Sequence, residues 1–317
     1  MSAPDVLVSI VNHRNRDLLL ACLRSLEADP HASRLDIAVL DNASGDGSVA
    51  AVAAAGFPHV RMLPQDERRG FGANHNIVLR TSSAPYAFLL NDDTVVSTGT
   101  IDALVAVLES DPAIGAAGPK IVGPDGTQER SAWRFPTAAN AALHIVTGTQ
   151  SGRPTTGDVG YLSGCALLVR RAALDRIGLF DEGFFMYAEE KDLCRRLAAA
   201  GYRRVYHPAV SVLHYGGTSS ATVTDRRANE FWRAQRRYLA KHHSAAGRTL
   251  IEWQTAAQRL ALAGAFAVLS RLPRSISRRT VDPELPASLV RQARLAVGRD
   301  DPGPGLAELA DEFNAAR

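Results

Sequence analysis

The stretch Tyr86-Ala87-Phe88-Leu89-Leu90-Asn91-Asp92-Asp93-Thr94-Val95-Val96 decides the fold. Its apolar run has the continuous hydrophobicity of a buried strand, ends abruptly in two adjacent acids, then resumes at Val95-Val96. Strand interiors exclude charge, so the acids belong at a strand's carboxyl end, where open α/β sheets place their ligands. Two neighbouring carboxylates repel one another unless a cation offsets them. A hard divalent metal carrying a diphosphate is one solution, because Mg²⁺ or Mn²⁺ takes one or two carboxylates plus phosphate oxygens. A solvated acidic turn is the other.

Working outward, strand and helix patterns alternate on both sides of this stretch. Asp5–Val11 reads as a first buried strand, followed by polar Asn12-His13-Arg14-Asn15 and a helix with Leu18, Leu19, Cys22, Leu23 and Leu26 at helical spacing. Ile37–Leu40, which ends in Asp41-Asn42-Ala43-Ser44-Gly45, and Val60–Leu63 are further strands. Gly70-Phe71-Gly72 opens another helix; without a third glycine it is no dinucleotide fingerprint, and the glycines are expected to let the chain pass close beneath a ligand. A helix from about Thr100 to Ser110 and a strand from Ile114 to Ile121 complete a pattern that predicts a parallel, doubly wound sheet over residues 5–121.

Beyond residue 121 the periodicity changes. A turn at Val122–Thr127 predicts a hairpin, residues 136–150 a helix, and Tyr161–Val169 one strong strand. The aromatic loop Phe180–Tyr187 leads into a helix near Glu189–Ala200, and two short strands, Arg203–Tyr206 and Val210–His214, follow. Everything after about Thr222 reads as helices. Residues 226–299 hold fourteen Arg and one Lys against four acids, a net charge of +11. Such a segment suits an anionic membrane surface, at roughly 1 kcal/mol per basic residue, or a helical face packed on an acidic body. Leu260–Leu269 reads as an interfacial helix or, preferably, as one docked on the sheet.

The 317-residue chain can bury a sizeable core, and 46% hydrophobic with 22% charged residues is the composition of an ordinary soluble globular protein. A net charge of +3 gives no support to nucleic-acid binding. Cys22, Cys165 and Cys194 are odd in number and widely separated, which excludes a disulfide framework or zinc spacing and points to a reducing cytoplasm. No signal peptide is visible at the start, and the longest apolar run, about ten residues, is half a membrane span.

Three strand ends or helix starts carry acids: Asp41, the Asp92/Asp93 pair, and Glu189-Glu190-Lys191-Asp192. In a doubly wound sheet Asp41 and the acid pair would share one edge. Glu189 and Asp192, three apart, share a helix face, while Glu190 points elsewhere. The preceding Phe184-Phe185-Met186-Tyr187 offers an apolar wall for a sugar-sized pocket, and a carboxylate there can deprotonate a hydroxyl. His214 ends a strand before a flexible loop, where a metal-ligand role is consistent with the acids.

Taken in order, these residues resemble the family 2 glycosyltransferases, inverting enzymes with the GT-A nucleotide-diphospho-sugar fold. The resemblance covers roughly residues 5–220. It rests on Val8–Asn12, Leu40-Asp41-Asn42-Ala43-Ser44, Gly70-Phe71-Gly72-Ala73, His75-Asn76 and Leu90-Asn91-Asp92-Asp93-Thr94. It continues through Arg134-Phe135-Pro136, Ser163-Gly164, Phe180-Asp181-Glu182, Phe185-Met186-Tyr187, Asp192-Leu193-Cys194, and His214 with Gly216-Gly217. It is nearest to bacterial rhamnosyltransferases of cell-wall and surface-polysaccharide synthesis.

The resemblance implies an α/β fold with a doubly wound mixed sheet. Residues 1–221 form the catalytic domain, with a nucleotide-sugar half to about 121 and an acceptor half from 122, and 222–317 form a basic helical extension. It further implies a divalent metal, Mg²⁺ or Mn²⁺, held by Asp93, His214 and Asp92, and a nucleotide-diphospho-sugar donor, dTDP-rhamnose foremost. Asn12, Asp41, Asn42, Asn76, Asn91 and Asp92 would line the donor site. The acceptor would be a glycan or polyprenyl-diphosphate-linked glycan, with peripheral contact to the inner face of the plasma membrane. The base falls on Glu190, where the family has aspartate, so Glu189 and Asp192 stay in contention. Ala188 and Arg14 also depart from the family pattern. A sugar nucleotidyltransferase would want a Gly-rich loop after the first strand, which Asn12–Arg16 lacks; a non-catalytic sugar-binding subunit would show a decayed base.

Overall fold

The computed structural model describes residues 5–147, 156–216, 224–269 and 285–316. The strands, in chain order, are β1 (Val6–Asn12), β2 (Leu35–Asp41), β3 (Val60–Pro64), β4 (Tyr86–Asn91), β5 (Thr94–Val96), β6 (Ile114–Val122), β7 (Ala132–Trp133), β8 (Gly157–Asp158), β9 (Tyr161–Leu162), β10 (Ala166–Arg170) and β11 (Arg203–His214). The helices are α1 (Arg16–Glu27), α2 (Ser48–Ala55), α3 (Phe71–Leu79), α4 (Thr100–Glu109), α5 (Ala138–Thr147), α6 (Arg171–Ile177), α7 (Glu189–Ala199), α8 (Thr224–His242), α9 (Ala245–Leu269), α10 (Leu285–Ala296) and α11 (Leu306–Ala315).

Alternating side chains in the strands set the layers, because successive Cβ atoms point to opposite faces. Val6, Val8 and Ile10 of β1 and Phe88 and Leu90 of β4 pack with Leu19, Leu23 and Leu26 of α1 and Leu104 and Leu108 of α4. Leu7, Ala87 and Leu89 turn the other way, onto Val78 and Leu79 of α3, Leu174 of α6 and Leu193 of α7. Each of these large aliphatic side chains contributes roughly 1.5–3 kcal/mol by leaving water. The expected double winding is therefore present, with helices on both faces.

The main sheet runs β3-β2-β1-β4-β10-β6-β11-β5, with β8 added to β11. The first four strands are parallel. The expectation of a parallel sheet through residue 121 needs correction. β10 runs antiparallel between β4 and β6, so a strand from beyond residue 121 joins the two parts of the sheet. The single strand expected over Tyr161–Val169 is broken at Ser163–Cys165: β9 leaves to pair with β7, and only Ala166–Arg170 enters the sheet. Conversely, the two short strands expected after Arg203 are one, β11, with irregularities at Arg203/Arg204 and between His207 and Ser211. These departures matter because they bring Gly164, Cys165 and His214 to the carboxyl end of β4.

Helix α9 packs chiefly on α10, α5 and α8. Docking of Leu260–Leu269 on the sheet is thus replaced by docking on other helices, and Leu260 (51%) and Val268 (61%) stay exposed. Part of the basic tail is spent on the acidic body. Lys241 Nζ lies 2.7 Å from Asp181 and 2.8 Å from Asp192, while Arg226 and Arg233 pair with Glu312 and Glu308 of α11. The 221/222 boundary, Gly217 and the arginines at 271–279 lie outside the described residues. Among the described residues no helix is long and apolar enough to cross a membrane, and the three cysteines are free and buried.

Gly70 and Gly72 serve a different purpose from the one expected. A Cβ on Gly72 would meet the Phe180 ring, and one on Gly70 would lie 2.5 Å from the carbonyl oxygen of Phe185 and 2.8 Å from its Cα. The glycines admit the aromatic loop, not a ligand; Phe71 N–H donates to that same Phe185 oxygen at 2.8 Å. Gly70→Ala should therefore cost about 2–3 kcal/mol through overpacking. The measurement is the urea midpoint, and a midpoint equal to that of the unsubstituted protein would show that the loop yields freely.

Candidate active site

The parallel register places Asn12 opposite Asp41 and Val11 opposite Asn91, so three strand ends meet at one edge. The Asn12 amide donates to Asp41 Oδ1 at 2.7 Å, and the Ser44 N–H donates to Asp41 Oδ2 at 3.2 Å. Asn42 exchanges hydrogen bonds with the Arg69 backbone at 3.0 and 2.9 Å, tying the β2 end to the loop before α3. Asn76 is put to a use the sequence did not indicate. Its buried amide is committed to Phe180 N–H, Phe180 C=O and the Glu182 carboxylate, at 2.9, 3.0 and 2.8 Å, so it anchors the aromatic loop.

Asn91 continues the edge: its N–H donates to the Cys165 carbonyl at 2.9 Å and its own carbonyl accepts the Thr94 hydroxyl at 2.7 Å. The next two residues are buried acids. Asp92 accepts from His13 N–H at 3.1 Å and from the Asn15 amide at 3.0 Å. Burial, and then the neighbouring Asp93, push its pKa up to about 7. Asp93 differs, because among the described residues no hydrogen-bond donor serves its buried Oδ1. What faces that oxygen is His214 Nε2, at 3.4 Å, while His214 Nδ1 lies 3.0 Å from Glu129. Burial opposes charge on this ring, but the Asp93 carboxylate and the Cys165 sulfur beside it outweigh that and raise its pKa far above the usual histidine range.

An orphaned carboxylate oxygen facing an imidazole nitrogen fits a divalent cation of the Mn²⁺ or Mg²⁺ kind, and a proton on His214 competes for the same atoms. A second group, Asp29, His31 and Asp102, has ligand atoms within 4.8 Å of one another. It lies beside Val6 and Leu35, at the opposite, amino ends of β1 and β2. Both Asp29 oxygens are already taken by the His31 and Gly99 N–H groups, at 2.9 and 3.0 Å. It reads as a structural tie.

The acids of α7 part company by environment. Asp192 is fully buried between Arg196, Lys241 and His242, at 2.8, 2.8 and 2.7 Å. Burial opposes its ionisation, but those hydrogen bonds win and lower its pKa. Glu189 is buried with Oε2 unpaired, and burial together with Glu190 raises its pKa well above normal. Glu190 is half-buried, lies against Gly164, which Phe71 also approaches, and has its pKa raised by burial. Two adjacent carboxyl groups of this kind hold a proton between them more readily than either would alone.

Backbone strain marks the same region. Among the described residues, Arg14, Ala43, Tyr187 and Ala188 are the non-glycine residues with positive φ, at 61°, 51°, 70° and 64°. The first two follow β1 and β2, and the last two aim Glu189 and Glu190 out of α7. Strain of about 1–3 kcal/mol per residue persists only where the surroundings over-determine it, and it gathers at functional sites. Sequence reasoning flagged Arg14 and Ala188 as departures without seeing this cause. It missed Asn15, which holds Asp92, and Glu129, which backs His214 from a turn 85 positions away.

Residues 4–236 match the family described as "Glycosyltransferase like family 2". The N-acetylglucosaminyl-diphospho-decaprenol L-rhamnosyltransferase of Mycobacterium tuberculosis is 34% identical over 269 residues, covering 77% of this chain and 87% of that one. The rhamnosyltransferase WbbL of Escherichia coli is 25% identical over 250 residues, covering 74% and 93%. Among solved structures, the mannosyltransferase PcManGT of Pyrobaculum calidifontis, in complex with GDP-Man and Mn²⁺, is similar at TM-score 0.53 and 19% identity, covering 100% of this chain and 74% of that one. That likeness speaks to the fold alone, which is mixed α/β of the GT-A kind. With strand ends, paired acids and helical carboxylates arranged as above, the chain is an enzyme that belongs to glycosyltransferase family 2.

Proposed function

We propose that the protein transfers rhamnose from dTDP-rhamnose to a hydroxyl of a polyprenyl-diphosphate-linked glycan, with inversion at the anomeric carbon. The observation that carries this reading is the 34% identity, across 87% of its length, to a rhamnosyltransferase named for an N-acetylglucosaminyl-diphospho-decaprenol acceptor. The nucleotide-diphospho-sugar would lie across the ends of β1, β2 and β4, lined by Asn12, Asp41, Asn42, Asn91 and Asp92. Asp93 and His214 would hold Mg²⁺ or Mn²⁺, with Asp92 beside them. When bound, the metal supplies Lewis-acid stabilisation of the charge that gathers on the departing diphosphate.

The rest of the chemistry falls to α7. Glu190 takes the proton of the acceptor hydroxyl as its oxygen attacks the anomeric carbon opposite the leaving group. The bond from that carbon to the diphosphate breaks, its electron pair leaving with the nucleoside diphosphate, through an oxocarbenium-like transition state. Burial keeps the Glu190 pKa raised, which strengthens it as a base. Asp192 is occupied by Arg196, Lys241 and His242, and Glu189, the more deeply buried of the two glutamates, holds a proton more readily than Glu190. On this reading residues 1–221 are the catalytic unit, with α8 from the basic extension completing its electrostatics.

A lipid-linked acceptor brings the reaction to a membrane surface. Exposed Trp253, Leu260 and Val268 on α9, together with the basic excess of residues 226–299, support peripheral contact there.

Rhamnose transfer to a short-chain N-acetylglucosaminyl-diphospho-lipid, assayed with Mn²⁺ and a panel of nucleotide sugars, tests the reading; transfer of another sugar in preference would overturn it. Glu190→Gln should lower kcat by roughly 10²–10⁴-fold with donor binding intact, and the same loss from Asp192→Asn instead would reassign the base. Because the base must be ionised, the rate should fall as pH drops through a value above the ordinary glutamate range. An acid limb near pH 4 would remove that assignment. Asp93→Ala should abolish metal-dependent donor binding in titration calorimetry; undiminished affinity would remove the metal site. Leu260→Glu with Val268→Glu should reduce co-sedimentation with anionic vesicles, and equal partitioning would dismiss the membrane contact.

A further inference from the structure

Beside the candidate base, and distinct from the acid pair, lies a cleft of about 360 Å³ lined from α5, β9, α7, α9 and the segment Arg130–Thr137. Among the described lining residues the charged ones are Arg130, Arg134 and Lys191, and none is an acid. Elsewhere in the catalytic body Arg61, Arg171, Arg196 and Arg203 are held in ion pairs. Among the described residues none of the three cleft cations has a carboxylate within ion-pair distance: Lys191 donates to the Gln235 side chain at 2.8 Å, and Arg130 makes a long contact to the Ala132 carbonyl at 3.5 Å and lies over the Trp133 ring at 5.8 Å. Three like charges lining one cleft with no carboxylate paired to them favour an anion there.

The walls are shaped as well as charged. Trp133 and Tyr161 stack at 5.0 Å between ring centroids, Phe135 stacks on Tyr161 at 6.0 Å, and Lys191 lies over the Tyr238 ring at 4.0 Å. Lys191 is deeply buried, which lowers its pKa to about 8, so it still carries its charge at neutral pH. The cleft adjoins Glu190, whose carboxylate is felt by both Tyr161 and Lys191.

Resting on the reading of the protein as a transferase to lipid-linked glycans, we infer that this cleft binds the diphosphate of the acceptor, with Arg130 and Arg134 as its direct partners and Lys191 beneath. The placement has a simple logic. The reacting hydroxyl must touch Glu190, the acceptor's diphosphate sits one sugar ring away from that hydroxyl, and Lys191, the residue after Glu190, lines the cleft. The donor's diphosphate belongs at the opposite side, by Asp93 and His214.

Binding of citronellyl diphosphate, measured by titration calorimetry with EDTA present, tests the site without calling on the metal or on catalysis. The full-length protein should bind it, and the R130Q/R134Q double variant should lose roughly tenfold or more, the loss of charged hydrogen bonds; Asp93→Ala should bind as before. Among the described residues neither arginine has an ion pair to lose, and an unchanged melting temperature verifies that the variant is folded. No binding by the unsubstituted protein, or equal binding by the double variant, overturns the inference whatever sugar the enzyme transfers. In turnover, the double variant should raise KM for a diphosphate-linked acceptor while leaving KM for the donor, and KM for an uncharged alkyl glycoside acceptor, unaltered. A rise for all three would assign the arginines a general structural role instead.

Discussion

Two carboxylates in a row at the end of a buried strand are costly, and most of the catalytic edge can be understood as the means of keeping them there. Desolvating a carboxylate costs several kcal/mol unless donors or cations replace the lost water. Asp92 is served locally, by the His13 N–H and Asn15 amide that follow β1. Asp93 is served from far away, by His214 at the end of β11. For His214 to arrive, β11 must run the length of β6 and pair with β5, which in turn requires β10 to enter between β4 and β6. The mixed sheet is thus tied to the acid pair.

The helical carboxylates solve the same problem by the opposite means. Asp192 is neutralised outright by Arg196, Lys241 and His242, two of which come from α8. Glu189 and Glu190 are left without cationic partners on hydrogen-bond terms, so burial drives their pKa values upward and makes them proton carriers rather than ion-pair members. The difference is three residues of sequence and the direction each side chain takes from one helix. It also means that α8 cannot be removed without releasing Asp192 as a competing charge next to the proposed base.

The Tyr86 stretch, the double winding and the convergence of Asp41 with Asp92 were legible, because each follows from strand period and from where charge can sit on a sheet. The acids at the start of α7 were legible as a cluster, but their division of labour was not, since it depends on Lys241 and His242 fifty positions away. Register was illegible in the same way. Tyr161–Val169 has the pattern of one strand, and only the pairing partners of Leu162 and Ala166 reveal the break at Gly164. The glycines of Gly70-Phe71-Gly72 were rightly marked as close-approach positions, but the approaching group is the Phe180–Phe185 segment. Sequence shows that a backbone is approached; it does not say by what.

The proposed reaction has two diphosphates in it, and the edge around β4 and α7 treats them differently for a physical reason. The donor's diphosphate gains negative charge as the glycosyl bond breaks, so its partner must respond most strongly in the transition state. A compact divalent ion, held as proposed by the Asp93 carboxylate and the His214 imidazole, would do that. The acceptor's diphosphate keeps the same charge throughout. It needs only to be held in place, and two arginines with a buried lysine can do so without adding a second metal site that would compete for the first. An acid lining the cleft would cancel this, and among its described lining residues there is none. Fixing the acceptor by an unreacting group also uses remote binding energy to orient the hydroxyl toward Glu190, where about one ångström of misplacement is worth as much as a hundredfold in rate.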